Sequence, residues 1–139
     1  MSKLLERLTD PVRSGVYRVG RANEVLEAAA GSALSVSRIP ARSKADLLRE
    51  MATQLAFPGW FGGNWDALED CLTDLSWHEA VGYVLLLEEF QKLPAKELAI
   101  LIDVLGSAAA FWAGQGKPFF AVFVDPARAL KLPELFRQA

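Results

Sequence analysis

The chain has a single cysteine, a single histidine and, between Arg49 and Lys92, no lysine or arginine at all. Each scarcity excludes something. Cys71 alone cannot form an internal disulfide, and a reducing, cytoplasmic setting is the simplest expectation. His78 alone makes Cys71/His78 the obvious nucleophilic couple to test. Placed on one predicted helix and seven residues apart, the two are separated by about 10 Å of rise, too far for a hydrogen bond. Cys71 also flanks an apolar stripe, where buried thiols are inert. No apolar run approaches the ~18–20 residues of a membrane span. The longest near the N-terminus, Val25 to Ala30, is broken by Glu27, and nothing there has the layout of a signal peptide. Neither a leader nor a membrane partner is expected. The glycine pair in "FGGNW" is followed by no lysine, so it is not a phosphate-binding loop.

What is present suits one packed domain. Of the 139 residues, 52% are hydrophobic, enough for a single core. Net charge is only −2, but its distribution is uneven. The first 49 residues hold nine basic and five acidic side chains. The lysine- and arginine-free interval holds eight acids: Glu50, Asp66, Glu69, Asp70, Asp74, Glu79, Glu88 and Glu89. Such a block repels phosphates and attracts a basic partner. Any one of these acids could simply solvate a helix face; the uncompensated block as a whole points to an interaction surface. Direct nucleic-acid binding would have to use Arg13, Arg18, Arg21 and Arg38, which are scattered and lack an aromatic platform. Ordinary surface solvation is the preferred reading for them.

Strand and helix signals alternate. "SGVYRVG" reads as a short, polar edge strand. "RANEVLEAAAG" reads as a helix stopped by Gly31. "ALSVSRIP" sets Leu34 and Val36 on one face and Ile39 on the other, and Pro40 ends it. "SKADLLREMATQLAF" is a helix with Ser43 as N-cap and Leu47, Leu48, Met51 and Leu55 on a buried stripe. "NWDALEDCLTDL" is the next, capped by Asn64. "VGYVLLLEEF" and "KPFFAVFVD" are continuous apolar runs, expected of strands buried on both faces. The long helix "AKELAILIDVLGSAAAFWAGQG" lies between them. One or two short helical turns are expected in the stretch from Asp125 to Ala139. The order predicts an α/β fold with a small, mostly parallel sheet of three to four strands and crossover helices.

One stretch does not follow from packing alone: "FPGWFGGNWDALEDCLTDLSW", Phe57 to Trp77. Trp65, Leu68, Leu72 and Leu75 form an apolar stripe that should face the core. Asp66, Asp70 and Thr73 fall on the opposite side, with Glu69 at its border and Asp74 one turn beyond Asp70. Like charges one turn apart, roughly 5–6 Å between Cβ atoms, mildly destabilise a helix. The helix dipole favours Asp66 but works against Asp74. A basic partner would turn that cost into a gain. Of Trp60 and Phe61, one ring is expected to plug the core; an exposed ring would be an anchor beside the acidic face. Gly62 and Gly63 permit positive φ and close approach of another backbone. Asp66 and Asp70 could also hold Mg²⁺ through waters, but no further ligand is evident by spacing, and no metal or other cofactor is expected.

This stretch resembles the signature of the barstar-like family of intracellular ribonuclease inhibitors. The shared pattern is an aromatic pair followed by Gly-x-Asn-x-Asp-Ala-Leu-x-Asp-Cys-Leu-Thr, met here from Trp60 to Thr73. Weaker likeness extends over about 33–124, which makes 1–32 a strand–helix extension and 125–139 a tail on a single domain of residues 1–139. The resemblance implies an inhibitor rather than an enzyme, one whose helix and preceding turn plug a nuclease active site. Asp70 would be the central phosphate mimic, Asp66 its acidic companion and Trp60 the stacking ring. Gly62, Asn64 and Thr73 would frame the contact. The sequence departs from the family pattern at Glu69, at Asp74 and, on the long helix, at Phe111 and Gln115. The expected partner is therefore a basic extracellular-type ribonuclease or a related toxin, with no direct nucleic-acid role. The alternative is a barstar-like scaffold serving as a general protein-interaction or regulatory module.

Overall fold

The computed structural model describes residues 2–136. Ser2 opens α1 (Lys3–Leu8) as its N-cap, its hydroxyl accepting from the Leu5 amide at 3.0 Å. This helix has no counterpart in the sequence reading, because only Leu4 and Leu8 mark its buried side. The remaining elements follow the expected order: β1 (Gly15–Val19), α2 (Ala22–Ala29), β2 (Ser35–Pro40), α3 (Lys44–Gln54), α4 (Trp65–Leu72), β3 (Tyr83–Glu88), α5 (Ala95–Gly114) and β4 (Phe119–Val124).

The four strands form one all-parallel sheet in the order β1-β4-β3-β2. The two apolar runs are its central strands and "GVYRV" is an edge, as their composition indicates. Along β3, Tyr83, Leu85 and Leu87 face one layer while Val84 and Leu86 face the other. In β4, Phe119, Ala121 and Phe123 alternate in the same way with Phe120 and Val122. The larger core packs under α3, α4 and α5 through Leu47, Met51, Leu68, Leu72, Leu101 and Leu105. The smaller one packs under α1 and α2 through Leu4, Leu8 and Val25. Each fully buried side chain of this size contributes roughly 1.5–3 kcal/mol. Residues 2–32 thus do more than lengthen the sheet: their helices cover its second face, which would otherwise leave Phe120 and Val122 in water.

The C-terminal segment corrects one expectation. No helix forms from Asp125 to Phe136; after a turn at 126–127 the chain reaches β1 and pairs with it through Pro133, Glu134 and Leu135. The Arg18 amide donates to the Pro133 carbonyl and the Leu135 amide to the Arg18 carbonyl, each at 2.9 Å. Arg18 also pairs with Glu134 at 3.3 Å. Pro133 lacks an amide and suits an edge position, and the segment shields the backbone of an otherwise open strand. The rest of the expected turns, residues 137–139, lies outside the described residues.

Two further features position the site. Gly82, at the entry to β3, is hemmed in: a Cβ there would meet Pro118 Cγ at 2.6 Å and Leu34 Cδ2 at 2.8 Å. Helix α5, at 20 residues and mean hydropathy 1.5, has the length and composition of a membrane span. Here its Leu101, Val104, Leu105, Ala108 and Ala109 side packs in the larger core.

Candidate functional site

The β2-to-β3 crossover carries the site. Neighbouring parallel strands cannot be joined by a tight turn, so the chain passes through α3, the turn at 57–64 and α4 before re-entering the sheet. The turn is held by aromatics. Phe57 and Phe61 meet edge-on at 4.9 Å and pack against the larger core. Trp77, beyond α4, meets Phe57 at 6.2 Å and donates its indole N–H to the Leu55 carbonyl at 3.0 Å. Trp60 rests edge-on against Trp77 at 5.9 Å and stays 59% exposed. Of the aromatic pair, Phe61 is the plug and Trp60 the exposed ring. A cleft of about 470 Å³ lies beside the turn, lined by Ala45, Leu48, Ala52, Phe61 and Gly63 among others.

Asn64 caps α4, its Oδ1 accepting from the Ala67 amide at 2.8 Å. Leu68, Cys71 and Leu72 are buried, Trp65 is half-buried, and Asp66 and Asp70 are exposed one turn apart. Glu69 and Thr73 border that face, half-buried. Among the described residues, none of Asp66, Glu69, Asp70 or Asp74 enters an ion pair. Lys44 approaches α4 through the Trp65 ring, at 5.4 Å, rather than through a carboxylate. The exposed side of α4 is a compact negative surface, and the exposed Trp60 ring stands on the turn that leads into the helix.

Several expected roles shift. The helix ends at Leu72, not at Leu75, with Thr73 as its C-cap. The Thr73 hydroxyl donates to the Glu69 carbonyl at 2.8 Å, a carbonyl that also accepts the Thr73 amide at 3.0 Å, so the last turn is closed twice at this residue. Asp74 is therefore off the helix. Its carboxylate accepts from the Ser76 amide at 3.2 Å and braces the turn into Trp77. Early termination also places His78 beyond the helix, where Nε2 meets the Ser35 hydroxyl at 2.9 Å. Gly63 adopts φ +70°, whereas Gly62 does not use the left-handed region. At Gly62 a Cβ would find only ordinary contacts, Asn64 Nδ2 at 3.5 Å and Ala67 Cβ at 3.7 Å.

The acidic block is not one surface. Glu88, at the end of β3, takes a bidentate pair of 2.8 Å bonds from Arg38. Glu89 is bonded by Arg42 at 3.0 Å and 3.2 Å. Arg42 and Arg49 also reach Asp46. Arg13 lies 3.9 Å from Asp10. The arginines of the basic first third are thus largely engaged with acids of the same chain, and α4 is left unanswered. The site's negative charge reaches inward as well: burial pushes the Cys71 thiol up to about 11, and the Asp70 and Asp74 carboxylates add to the shift. A thiol held protonated is neither a nucleophile nor a metal ligand at neutral pH.

Sequence reasoning missed the residues that hold this surface in place. Trp112 of α5 donates its indole N–H to the Leu72 carbonyl at 2.7 Å, satisfying a carbonyl at the end of α4. Trp65 donates to Glu97 at 3.0 Å at the other end. Tryptophans beside a helix end are the only sequence signal for such braces, and their partners lie 32 and 40 residues away along the chain.

A family model described as Barstar (barnase inhibitor) matches residues 33–124, from the start of β2 to the end of β4 and through the whole of this surface. No curated protein matches the chain at a significant level.

Proposed function

From the premise that the chain belongs to the barstar family, a family of barnase-type ribonuclease inhibitors rather than enzymes, we propose that it binds and blocks the active site of a basic ribonuclease or related toxin. The binding surface runs from Trp60 to Asp74. Asp70 and Asp66 stand in for substrate phosphates, and Trp60 offers the stacking ring. The observation that carries this reading is the exposed acidic side of α4, which has no counter-ion among the described residues while neighbouring acids are paired. Desolvating unpaired carboxylates against the cations of a nuclease active site yields strong charge-assisted hydrogen bonds. It also steers encounter, with fast association that slows as salt rises.

The test is RNA hydrolysis by barnase, the target in the family's description, with increasing amounts of the full chain. Stoichiometric loss of activity, relieved by Asp70→Ala, is the expected result. Unchanged hydrolysis at a large excess of the chain, together with no complex on size-exclusion chromatography, would leave the reading without support.

A further inference from the structure

Where α3 and α4 end, the backbone takes an uncommon conformation twice. Helix α3 is capped at Leu55, and Ala56 follows with φ +53°. Helix α4 is capped at Thr73, and Leu75 follows with φ +51°. A left-handed residue just past a helix end is most often glycine, because a side chain is disfavoured in that conformation. Neither position uses glycine. Leu75 is anchored there by burial in the larger core, whereas Ala56 is exposed. An aromatic follows each reversal: Phe57 directly after Ala56, and Trp77 two residues after Leu75.

The two reversals bring those rings together. Trp77 meets Phe57 edge-on at 6.2 Å and donates its indole N–H to the Leu55 carbonyl at 3.0 Å. Its own segment is bonded closed, with the Asp74 carboxylate accepting from the Ser76 amide at 3.2 Å and the Leu75 carbonyl from the His78 amide at 2.9 Å. Trp77 is thus half-buried and fixed. Trp60 is not fixed in this way. The indoles of Trp65, Trp77 and Trp112 each donate to an acceptor of the chain; among the described residues that of Trp60 has none. Its recorded ring contact is with Trp77, at 5.9 Å and 87°. A ring 59% exposed and without a hydrogen bond has that edge-on contact to direct it.

Resting on the inhibitor reading above, we infer that Trp77 is a positioning residue for partner binding: it sets the Trp60 ring in one orientation before the partner arrives. Trp77 acts through Trp60 and needs no contact with the partner. The left-handed backbone at Ala56 and Leu75 is what carries this platform to the ring. An anchor oriented in advance gives up less side-chain freedom on binding. A population of misdirected rings would lower the apparent affinity in proportion.

The experiment has two arms. In the free chain, tryptophan is replaced by 5-fluorotryptophan and the fluorine spectrum is recorded, with Trp60→Phe assigning the Trp60 line. Trp77→Leu should move that line to the position of a solvent-exposed fluoroindole and leave the Trp65 and Trp112 lines in place. In the second arm, affinity for barnase is measured calorimetrically for Trp60→Ala, Trp77→Leu and the two combined, with melting temperatures alongside. Trp77→Leu should weaken binding about tenfold, and Trp77→Phe, which keeps a ring under Trp60, should recover most of the loss. The combined variant should bind no more weakly than Trp60→Ala alone, because a platform without its ring has nothing to position. A merely structural role for Trp77 would make the two losses add. Should Trp77→Leu melt early, Trp77→Met, which fills more of the same space, carries the comparison. Additive losses, unaltered affinity in Trp77→Leu, or a Trp60 line unmoved by Trp77→Leu each overturn the inference; a loss in Asp70→Ala then leaves the inhibitor reading intact. Absence of binding by every chain, the unmodified one included, removes the inhibitor reading and the positioning role with it.

Discussion

Glu88 and Glu89 at the end of β3, and Asp66 and Asp70 on α4, come from the same lysine- and arginine-free interval, and the fold treats them oppositely. The first two are answered by Arg38 and Arg42, brought in by the neighbouring strand and the turn after it. The second two face outward with no cation recorded against them among the described residues. Charge composition sees one acidic block; pairing splits it into a self-neutralised rim and an open face. The difference arises from register. Parallel pairing of β2 with β3 sets Arg38 opposite Leu86 and Pro40 opposite Glu88, so the ends of the two strands bring their charges together. Among the described residues no lysine or arginine pairs with a carboxylate of α4.

The largest expected effect sharpens that contrast. Asp70→Ala should cost at least about 2 kcal/mol, some thirtyfold, in affinity for a barnase-type nuclease. Its melting temperature should hold or rise slightly, because a like-charge neighbour is removed. Glu88→Gln should leave affinity within about threefold, as expected for a charge already matched inside the chain. Calorimetry on both variants decides it: equal losses would mean that the two acidic groups are not distinct.

A second prediction concerns the inner side of the same face. The Cys71 thiol is raised to about 11 in the fold, first by burial and then by Asp70 and Asp74. A pKa raised above the unfolded value contributes stability that is complete below the unfolded pKa and is lost as pH climbs towards the folded one. Unfolding free energy should therefore fall between about pH 9 and pH 11, by on the order of 2 kcal/mol. Denaturant titration across that range should show the fall, and Cys71→Ala should flatten it. In the native state at pH 8 the thiol should react with iodoacetamide far more slowly than in denaturant.

The rim supplies a smaller effect. Arg38→Ala breaks a bidentate pair whose side chains are 53% and 20% exposed. A loss of about 0.5–1 kcal/mol in stability is expected, reduced by added salt, with nuclease affinity unchanged.

The sheet was legible because its evidence is local. "VGYVLLLEEF" and "KPFFAVFVD" could only be doubly buried strands, and the caps Ser43 and Asn64 are written beside the helices they start. Helix α1 was not legible, since three leucines in a six-residue helix are too short a run to make a periodic signal, and the tail was misread because its partner is the distant β1. Within the site, the exposed pair Asp66 and Asp70 followed from helical spacing, and a single ring turning inward was expected of the aromatic pair. Nothing local announced Trp77 under Trp60, Trp112 at the end of α4 or the unwinding after Leu72. Those depend on contacts across the fold.

That early unwinding makes Asp74 the finest test of the comparison, because it belongs to neither class. It carries a charge beside the open face, yet its carboxylate is engaged, accepting from the Ser76 amide. Asn retains the acceptor and drops the charge; Ala drops both. If Asp74 is mainly a brace for the turn into Trp77, Asp74→Asn should keep the melting temperature and alter nuclease affinity by no more than about threefold, through lost steering at low salt. Asp74→Ala should cost about 0.5–1 kcal/mol of stability and disturb the seat of Trp60. Its affinity loss should then exceed that of Asp74→Asn. If the two variants instead lose affinity equally and heavily, the charge is what matters. Asp74 would then join Asp66 and Asp70 as a direct contact.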